Sequence, residues 1–480
     1  MQLHASCPPE TQFKTESDSE IVLHLYKAHG ADCFNMLDGI FATAISDGVN
    51  TTFARDPLGV KPLYVGVDIS GALWFSSEIK GINDKCSVLA PFPPGCYWDS
   101  RDGVEGAWQG SDSPVSNEDG VERVRLGALI LKCHRYFKPS WWSGETPSGP
   151  HDPATLYNAL DAAVKKRMMA DVPVAVFLSG GLDSSTMAAM AKRHLPETQP
   201  ELHSFSVGVG SPEQSPDVLA ARVAAKALGT VHHEIIFTPE EGFAAIRDVI
   251  YYLESYDPSP MRSGVAMYLL CGEVAKFAKV CICGEAADEV FAGYLYFNEA
   301  KDTGMLHRET VTKIKNLHGV QLQFQDRLGM AQSLEIRVPF LDKELLGVAL
   351  NVDPAVKMHT DHEGKSRIEK WYMRDAIEKC GNDLLPKEIL WRRKEQFGDG
   401  VGCKCSTMVH VHSTCTVHPQ RTRATPKPPP PCATICCATI EEKRISVIFA
   451  RHANTTLVDH RNHCTCSQHG HALQTRGSTA

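Results

Sequence analysis

VAVFLSGGLDSSTMAAM, residues 174–190, sets the reading of the whole chain. The unbroken apolar run to Leu178 is what a strand buried on both faces requires. Two glycines then make a turn, and Asp183 to Ser185 open a helix whose first N–H groups lack intrahelical partners. Gly180 and Gly181 put no side chain in the way of an approaching phosphate. The hydroxyls of Ser179, Ser184 and Ser185 can donate to it, and the helix start adds its partial positive charge. Asp183 repels phosphate unless a cation intervenes, which points to Mg2+ at that carboxylate. A tight strand-to-helix turn with a polar cap would explain Gly-Gly alone, but the whole heptapeptide is a stronger signal. The GKS at residues 364–366 is not a P-loop, because the position five before Gly364 is His359.

Working outward, Leu156, Leu160, Val164 and Met168 recur at helical spacing before this strand. After it HSFSVGV, HHEIIF and KVCIC read as strands, with helices at DVLAARVAAKALG and in the mid 240s. Strands alternating with helices specify a doubly wound parallel sheet covered by helices, an α/β domain over residues 152–402. Before residue 100 the pattern is different. FATAISD from Phe41, PLYVG from Pro62 and LWFSSEI from Leu73 are short alternating runs, the mark of antiparallel sheet, after one helix near EIVLHLYKAHG. Residues 1–99 are therefore a separate sheet domain. Residues 100–151, rich in Gly, Ser and acid and broken by proline, read as a connecting segment.

The chain has 480 residues, enough for two to four domains of about 150 residues. A formal charge of −8 gives no general attraction to nucleic acid or anionic membranes, and neither is expected as a partner. No apolar run reaches the roughly 18 residues of a membrane span, and the first residues lack the apolar core of a secretory signal, so none is expected. With 17 cysteines, an odd number in a long chain, reduced thiols in the cytoplasm are expected. Residues 403–480 hold eight of those cysteines, eight of the 21 histidines and a net charge of +6, leaving −14 on residues 1–402. This basic, proline-interrupted tail has no apolar period and is expected to lack regular structure. His463, Cys464, Cys466, His469 and His471 include metal-ligating types, but C-x-C spacing without a second matched pair argues against zinc.

SGGLDSS after a buried strand resembles the pyrophosphate loop of the ATP-pyrophosphatase superfamily. GEAADEVFAGYLYF (284–297), SLEIRVPFLD (333–342) and LPKEILWRRKEQFGDGVG (385–402) resemble glutamine-dependent asparagine synthetases. So do FKTESDSEIVLHLY (13–26), NMLDGIFATAISD (35–47), ARDPLGVKPLYVG (54–66) and LWFSSEIKG (73–81), which are similar to the later half of that family's glutaminase domain, of the N-terminal-nucleophile type. The resemblance spans about Phe13 to Gly402. It implies ATP-dependent conversion of aspartate to asparagine through β-aspartyl-AMP, with Mg2+, and with nitrogen from glutamine or ammonia. A homodimer is compatible with it. Synthetases that form β-lactams share the loop, but the LEIRVPFLD and KEQFGDGVG runs favour the asparagine branch.

By matching motif, Leu178, Ser179, Gly180, Gly181, Leu182, Asp183, Ser184 and Ser185 are expected to hold ATP, with Val207, Cys283 and Gly284 completing its pocket. Asp183 and Asp288 are the expected metal carboxylates. Glu285 is expected to serve the adenylate step and Glu335 to act as base for ammonia. Lys365 and Lys394 are expected on pyrophosphate or adenylate oxygens, and Arg262 on the aspartate carboxylate. Each also has a structural explanation: a charged helix start for Asp288, an Arg337 ion pair for Glu335, a solvated face for the lysines. Asp18 matches the residue that receives the glutamine amino group. The family's nucleophile is an N-terminal cysteine, whereas this chain begins Met-Gln, and Cys7 has no free amine beside it. Ammonia dependence without glutaminase activity is therefore expected, the alternative being a silent nucleotide- or partner-binding member. Alanine at 286 and 292, where the family has glycine, costs about 1 kcal/mol wherever the backbone needs a positive φ.

Overall fold

A computed structural model describes residues 6–15, 17–106, 120–361, 363–394, 400–401, 435–440 and 445–450. The chain divides into two units, residues 1–138 with 425–480, and residues 139–424.

The first unit begins with α1 (Glu20–His29), whose Ile21, Val22, Leu23 and Leu25 are buried, and α2 (Cys33–Met36). Among the described residues nine strands follow: β1 (Ala42–Ser46), β2 (Thr51–Arg55), β3 (Tyr64–Val67), β4 (Leu73–Ser76), β5 (Val88–Pro91), β6 (Cys96–Asp99), β7 (Glu105–Gly106), β8 (Val121–Leu126) and β9 (Leu129–Arg135). β1, β2, β6, β9 and β7 lie in that order in one sheet, with β8 against β9, while β4, β3 and β5 form a second. Successive side chains point to opposite faces of a strand. Phe53 of β2 accordingly meets Phe75, stacked at 3.6 Å between ring centres, in a core shared by both sheets, while the next residue, Ala54, joins Ile45, Leu25 and Phe34 in the helix-side core.

Two expectations are corrected in this unit. Residues 121–135, assigned to the connecting segment, form β8 and β9, because Val124, Leu126, Ile130 and Leu131 supply apolar side chains around a tight Gly127 turn. The tail, expected without regular structure, contains β15 (Ile435–Ile440) and β16 (Ile445–Ala450), which pair with each other and extend the first sheet through β16 on β1, Thr43 opposite Phe449. Its apolar runs ICCATI and ISVIFA are short enough to vanish in a composition averaged over the whole tail. The histidines and cysteines at 463–471 lie outside the described residues.

The second unit is the predicted alternation. It runs α3 (Pro153–Arg167), β10 (Val174–Phe177), α4 (Leu182–Arg193), β11 (His203–Val209), α5 (Pro216–Leu228), β12 (Val231–Phe237), α6 (Pro239–Leu253), α7 (Pro258–Val274) and β13 (Val280–Ile282). Then come α8 (Ala287–Val290), α9 (Thr303–Asn316), α10 (Gln321–Ala331), β14 (Glu335–Arg337), α11 (Lys343–Asn351), α12 (Trp371–Cys380) and α13 (Lys387–Leu390). The strand order is β12-β11-β10-β13-β14, all parallel. The chain winds one way from β10 through β11 to β12 and then returns to place β13 on the other side of β10. Ligands in open parallel sheets bind at such a reversal, outside the carboxyl ends of the two strands. Among the described residues no helix is long and apolar enough to cross a membrane.

Candidate active site

The carboxyl ends of β10 and β13 carry the residues singled out from the sequence. After β10, Leu178 N–H still bonds Phe205 O at 2.8 Å, and the chain then turns through Ser179, Gly180 and Gly181 into α4. Gly180 has φ +70°, and a Cβ there would overlap the Ala220–Ala221 peptide of α5, so both the turn and the close approach require glycine. Gly181 has φ −74°, and its added Cβ would meet only Ser179 Oγ, at 3.4 Å, so its face is open. No side chain caps α4, which leaves its first N–H groups available to an anion. Ser179 Oγ and Ser184 Oγ lie 3.0 Å apart, while the fully buried Ser185 Oγ has no hydrogen-bond partner.

After β13, Cys283 N–H bonds Arg337 O at 2.9 Å, and Gly284 lies so near the α4 start that a Cβ would fall 2.9 Å from Ser184 N. This brings the short helix α8 against the loop. The turn into it is made by Ala286 at φ +75° and the exit by Ala292 at φ +54°, both in the left-handed region. The two alanines therefore carry the strain anticipated from the sequence.

Asp183 and Asp288, from opposite sides of the reversal, come together around one ammonium. Lys370 Nζ bonds Asp183 Oδ2 and lies 2.7 Å from Asp288 Oδ1, its side chain only 2% exposed. Lys394 Nζ takes the other Asp288 oxygen at 2.6 Å. Burial opposes ionisation of Asp288, but the two lysines outweigh it and hold the carboxyl below its ordinary range. Asp288 and Asp183 in turn hold the Lys394 ammonium above its range despite burial. Neighbouring carboxyls behave oppositely. Glu285 is pushed up by burial and by the charges of Glu289 and Asp288. Glu289, 1% exposed, is raised by burial against the hydrogen bond from Tyr294 Oη, with Asp288 adding to the rise.

The two lysines are set from behind by Arg374. Its guanidinium donates to Glu369 Oε1 and O, both at 2.8 Å, to Arg392 O at 2.9 Å, and to Leu390 O. Glu369 Oε1 also accepts Lys394 N–H at 2.7 Å. Arg392 reaches forward to the loop itself, at Ser179 O, 3.3 Å, and to Asp217, 3.1 Å.

The asparagine synthase family matches residues 155–305 and 298–423, and the glutamine amidotransferase domain family matches residues 2–84. Asparagine synthetase [glutamine-hydrolyzing] of Sandersonia aurantiaca is 42% identical over 425 residues, 87% of this chain and 74% of that protein. The chain belongs to the asparagine synthetase family. The corresponding protein of Asparagus officinalis is also 42% identical, over 403 residues, 82% of this chain but 63% of that protein, so the chain spans less than two thirds of that relative's length. Among solved structures, NAD+ synthetase from Burkholderia pseudomallei aligns over 52% of this chain and 96% of that one at 14% identity, with a TM-score of 0.24, too low to add to the argument. The family match runs to residue 423, past the Gly402 at which the resemblance stops by eye.

Within this asparagine synthetase family member the other anticipated residues fall in different places. Val207 lies in β11 between Phe205, whose carbonyl bonds Leu178, and Val209, whose N–H bonds Val401 O at 3.1 Å. In a parallel strand alternate residues bond to the same side, so the Val207 peptide groups also face away from β12, beyond the point where β10 ends. Cys283 is buried, its thiol pushed up to about 12 by burial, and it faces the Gln325 amide. Arg262 is half-buried in the second turn of α7. Glu335 pairs with Arg337 at 2.8 Å at the sheet edge with its side chain 50% exposed, which is the structural explanation weighed against the catalytic one. Lys365 is exposed on a turn held by Asp361, and the ammonium that joins the carboxylates is instead Lys370, five residues on.

Lys370 was not singled out from the sequence, nor were Gln321 and Gln325 of α10. Gln325 Nε2 bonds Glu285 Oε2 and Gln321 Nε2 bonds Glu289 Oε1 at 3.4 Å. Repetition of both pairs at i and i+4 was a usable signal only once α8 and α10 were known to be neighbours.

Asp183 Oδ1 is buried without a hydrogen-bond partner. A spare carboxylate oxygen beside an uncapped helix start suits Mg2+, which usually takes one or two carboxylates together with water and phosphate oxygens. Among the described residues no group of three or more His, Cys, Asp or Glu could hold a metal alone. In the first unit, Asp18 is exposed just before α1. Cys7 is buried against the helix-side core, and burial raises its thiol, the reverse of what a nucleophile needs.

Proposed function

We propose that the second unit amidates aspartate at the expense of ATP, releasing AMP and pyrophosphate, with ammonia as the nitrogen donor this chain can use. The observation that carries the reading is the convergence of the uncapped SGGLDSS helix start with Glu285, Asp288, Lys370 and Lys394 at the sheet reversal. In this reading the β and γ phosphates lie over Gly181 and the α4 N–H groups, and adenine meets the Val207 backbone. Cys283 and Gly284 border the nucleotide, and Arg262 pairs with the aspartate α-carboxylate. The side-chain carboxylate attacks the α-phosphorus, the bond to the β-phosphate oxygen breaks, and β-aspartyl-AMP forms. Ammonia then displaces AMP at the acyl carbon and loses a proton to give asparagine.

Lys370 and Lys394 bring positive charge to the side where pyrophosphate leaves, where developing charge most needs stabilising. Asp183 and Asp288 would hold Mg2+, whose chemistry there is to neutralise pyrophosphate oxygens. Lys365 and Glu335 are not needed in these roles: the first is exposed and the second has Arg337. Cys7, with its buried and raised thiol, does not serve as the glutaminase nucleophile. Asp18 remains the candidate for the amino group of a bound glutamine.

A second reading, a silent nucleotide binder, is favoured by one observation, the Lys370 ammonium already between the two carboxylates. The test is formation of asparagine and AMP by the purified chain with ATP, Mg2+ and aspartate, given ammonium or glutamine. Asparagine from ammonium alone is the expected result. Production from glutamine would overturn the exclusion of Cys7, and no AMP with either donor would leave the silent reading standing.

A further inference from the structure

Glu285 and Glu289 stand four residues apart, and Gln325 and Gln321 face them from α10 in the opposite order, making two Gln–Glu rungs. Three donors are directed at the carboxyls: the Gln325 and Gln321 amides, and the Tyr294 hydroxyl at 2.7 Å from Glu289 Oε1, while the Cys283 thiol lies against the Gln325 amide. Glu289 Oε2 and Gln325 Oε1 are buried with no hydrogen-bond partner, on residues 1% and 3% exposed. A buried acceptor without a donor costs about 1–3 kcal/mol, and two on facing helices point to something that supplies donors to both.

We propose that the facing side chains of Glu285, Glu289, Gln321 and Gln325, between α8 and α10, bind the nitrogen donor as ammonium, a proposal that rests on the amidation reading above. Ammonium carries four N–H donors, no acceptor and one positive charge, which is the complement of two orphan acceptors beside carboxylates. Water brings two donors and no charge. The charged groups around this site are Glu285, Asp288 and Glu289 on the α8 side, and Lys370 and Lys394, which are held by Asp183 and Asp288. Glu285 adjoins Gly284, which packs on Ser184 at the α4 start, so these side chains stand beside the phosphate loop. The nitrogen would thus wait next to the bond it replaces.

The test uses the full chain with 15N-ammonium chloride at constant ionic strength, reading broadening of the free ammonium resonance. Broadening by the wild-type chain, reduced at least tenfold in Gln325→Leu and in Glu289→Gln, is the expected result, with circular dichroism confirming that both variants fold. Potassium chloride at equal concentration is the second arm and needs no variant. No broadening by the wild-type chain overturns the proposal, and so does displacement of ammonium by potassium at equal strength, which would mean a general monovalent-cation site. Aspartate-dependent exchange of pyrophosphate into ATP needs no nitrogen donor and is measured in parallel. Exchange without ammonium binding sinks this site alone, whereas ammonium binding without exchange sinks the amidation reading.

Discussion

The Lys370 ammonium lies 2.7 Å from Asp288 Oδ1 and also bonds Asp183, so one side chain joins the helix after the phosphate loop to the helix after β13. Replacing it by methionine leaves two half-buried carboxylates facing each other with one of their two counter-charges gone. Removal of one partner from a fully buried pair costs about 3–5 kcal/mol, and partial exposure of the two carboxylates makes this an upper bound here. Lys370→Met should therefore lower the unfolding midpoint of this unit in urea and weaken ATP binding at least tenfold. The double variant Lys370→Met/Asp288→Asn should recover part of the stability but none of the ATP binding. Equal stability of wild type and Lys370→Met would show that the carboxylates are not held by this lysine.

The raised Glu285 carboxyl makes a prediction about pH. A carboxyl whose folded pKa lies above its unfolded value binds more protons folded than unfolded. Its contribution is fully present below the unfolded value and is lost as pH rises through the folded one. Glu285→Gln removes that loss. Its stability relative to wild type should be near zero at pH 4 and increasingly positive toward pH 9, measured by denaturation across that range. A difference that does not change with pH would contradict the raised pKa.

Lys357 gives the complementary case. Its ammonium donates to Val290 O at 2.9 Å at the end of α8, and burial pushes it down to about 7. Between this value and the unfolded one near 10.4 the unfolded chain binds more protons, so stability rises with pH across that window. Lys357→Met should lack this rise. Titration of 13C-labelled lysine side chains would show one resonance moving near neutrality that is missing from the variant.

Gly180 and Gly181 should fail differently. At Gly180 an alanine meets both a positive φ and the Ala220–Ala221 peptide, so Gly180→Ala should destabilise the unit and perturb the α4–α5 packing. Gly181 has an ordinary φ and space for a methyl, so Gly181→Ala should keep its unfolding midpoint while its methyl sits where phosphate is proposed to bind. ATP protection against proteolysis, set beside denaturation, separates the two. Unchanged ATP protection in Gly181→Ala would place the phosphates elsewhere.

Ala286→Gly relieves a φ of +75° and should raise stability by about 1 kcal/mol, read as a higher urea midpoint. A lower midpoint would mean that the methyl contributes more by packing than the backbone loses.

The phosphate loop and the parallel alternation were legible because they depend on local patterns, a fully apolar strand, a Gly-Gly turn and helical periods between strands. Lys370 was not, because IEKWYM reads as an ordinary helix start and only tertiary packing buries the lysine and sets its φ at +58°. Lys365, expected from the family resemblance to meet pyrophosphate or adenylate oxygens, instead lies on an exposed turn five residues before Lys370. Glu335 and Arg337 sit two apart in a strand, on one face, so their pairing was available from the period alone. β8, β9 and the two strands of the tail were missed because composition over dozens of residues conceals six-residue alternations.

Arg374 spends its guanidinium on main-chain carbonyls and Glu369, yet through them it fixes both Lys370's neighbour in sequence and the backbone of Lys394. Losing this one guanidinium would therefore release the segments that carry both ammonium groups at once. A screen for loss-of-function alleles should recover substitutions at 374 alongside those at 183 and 288, and a suppressor of such an allele should map to the segment between 369 and 394 rather than to the phosphate loop.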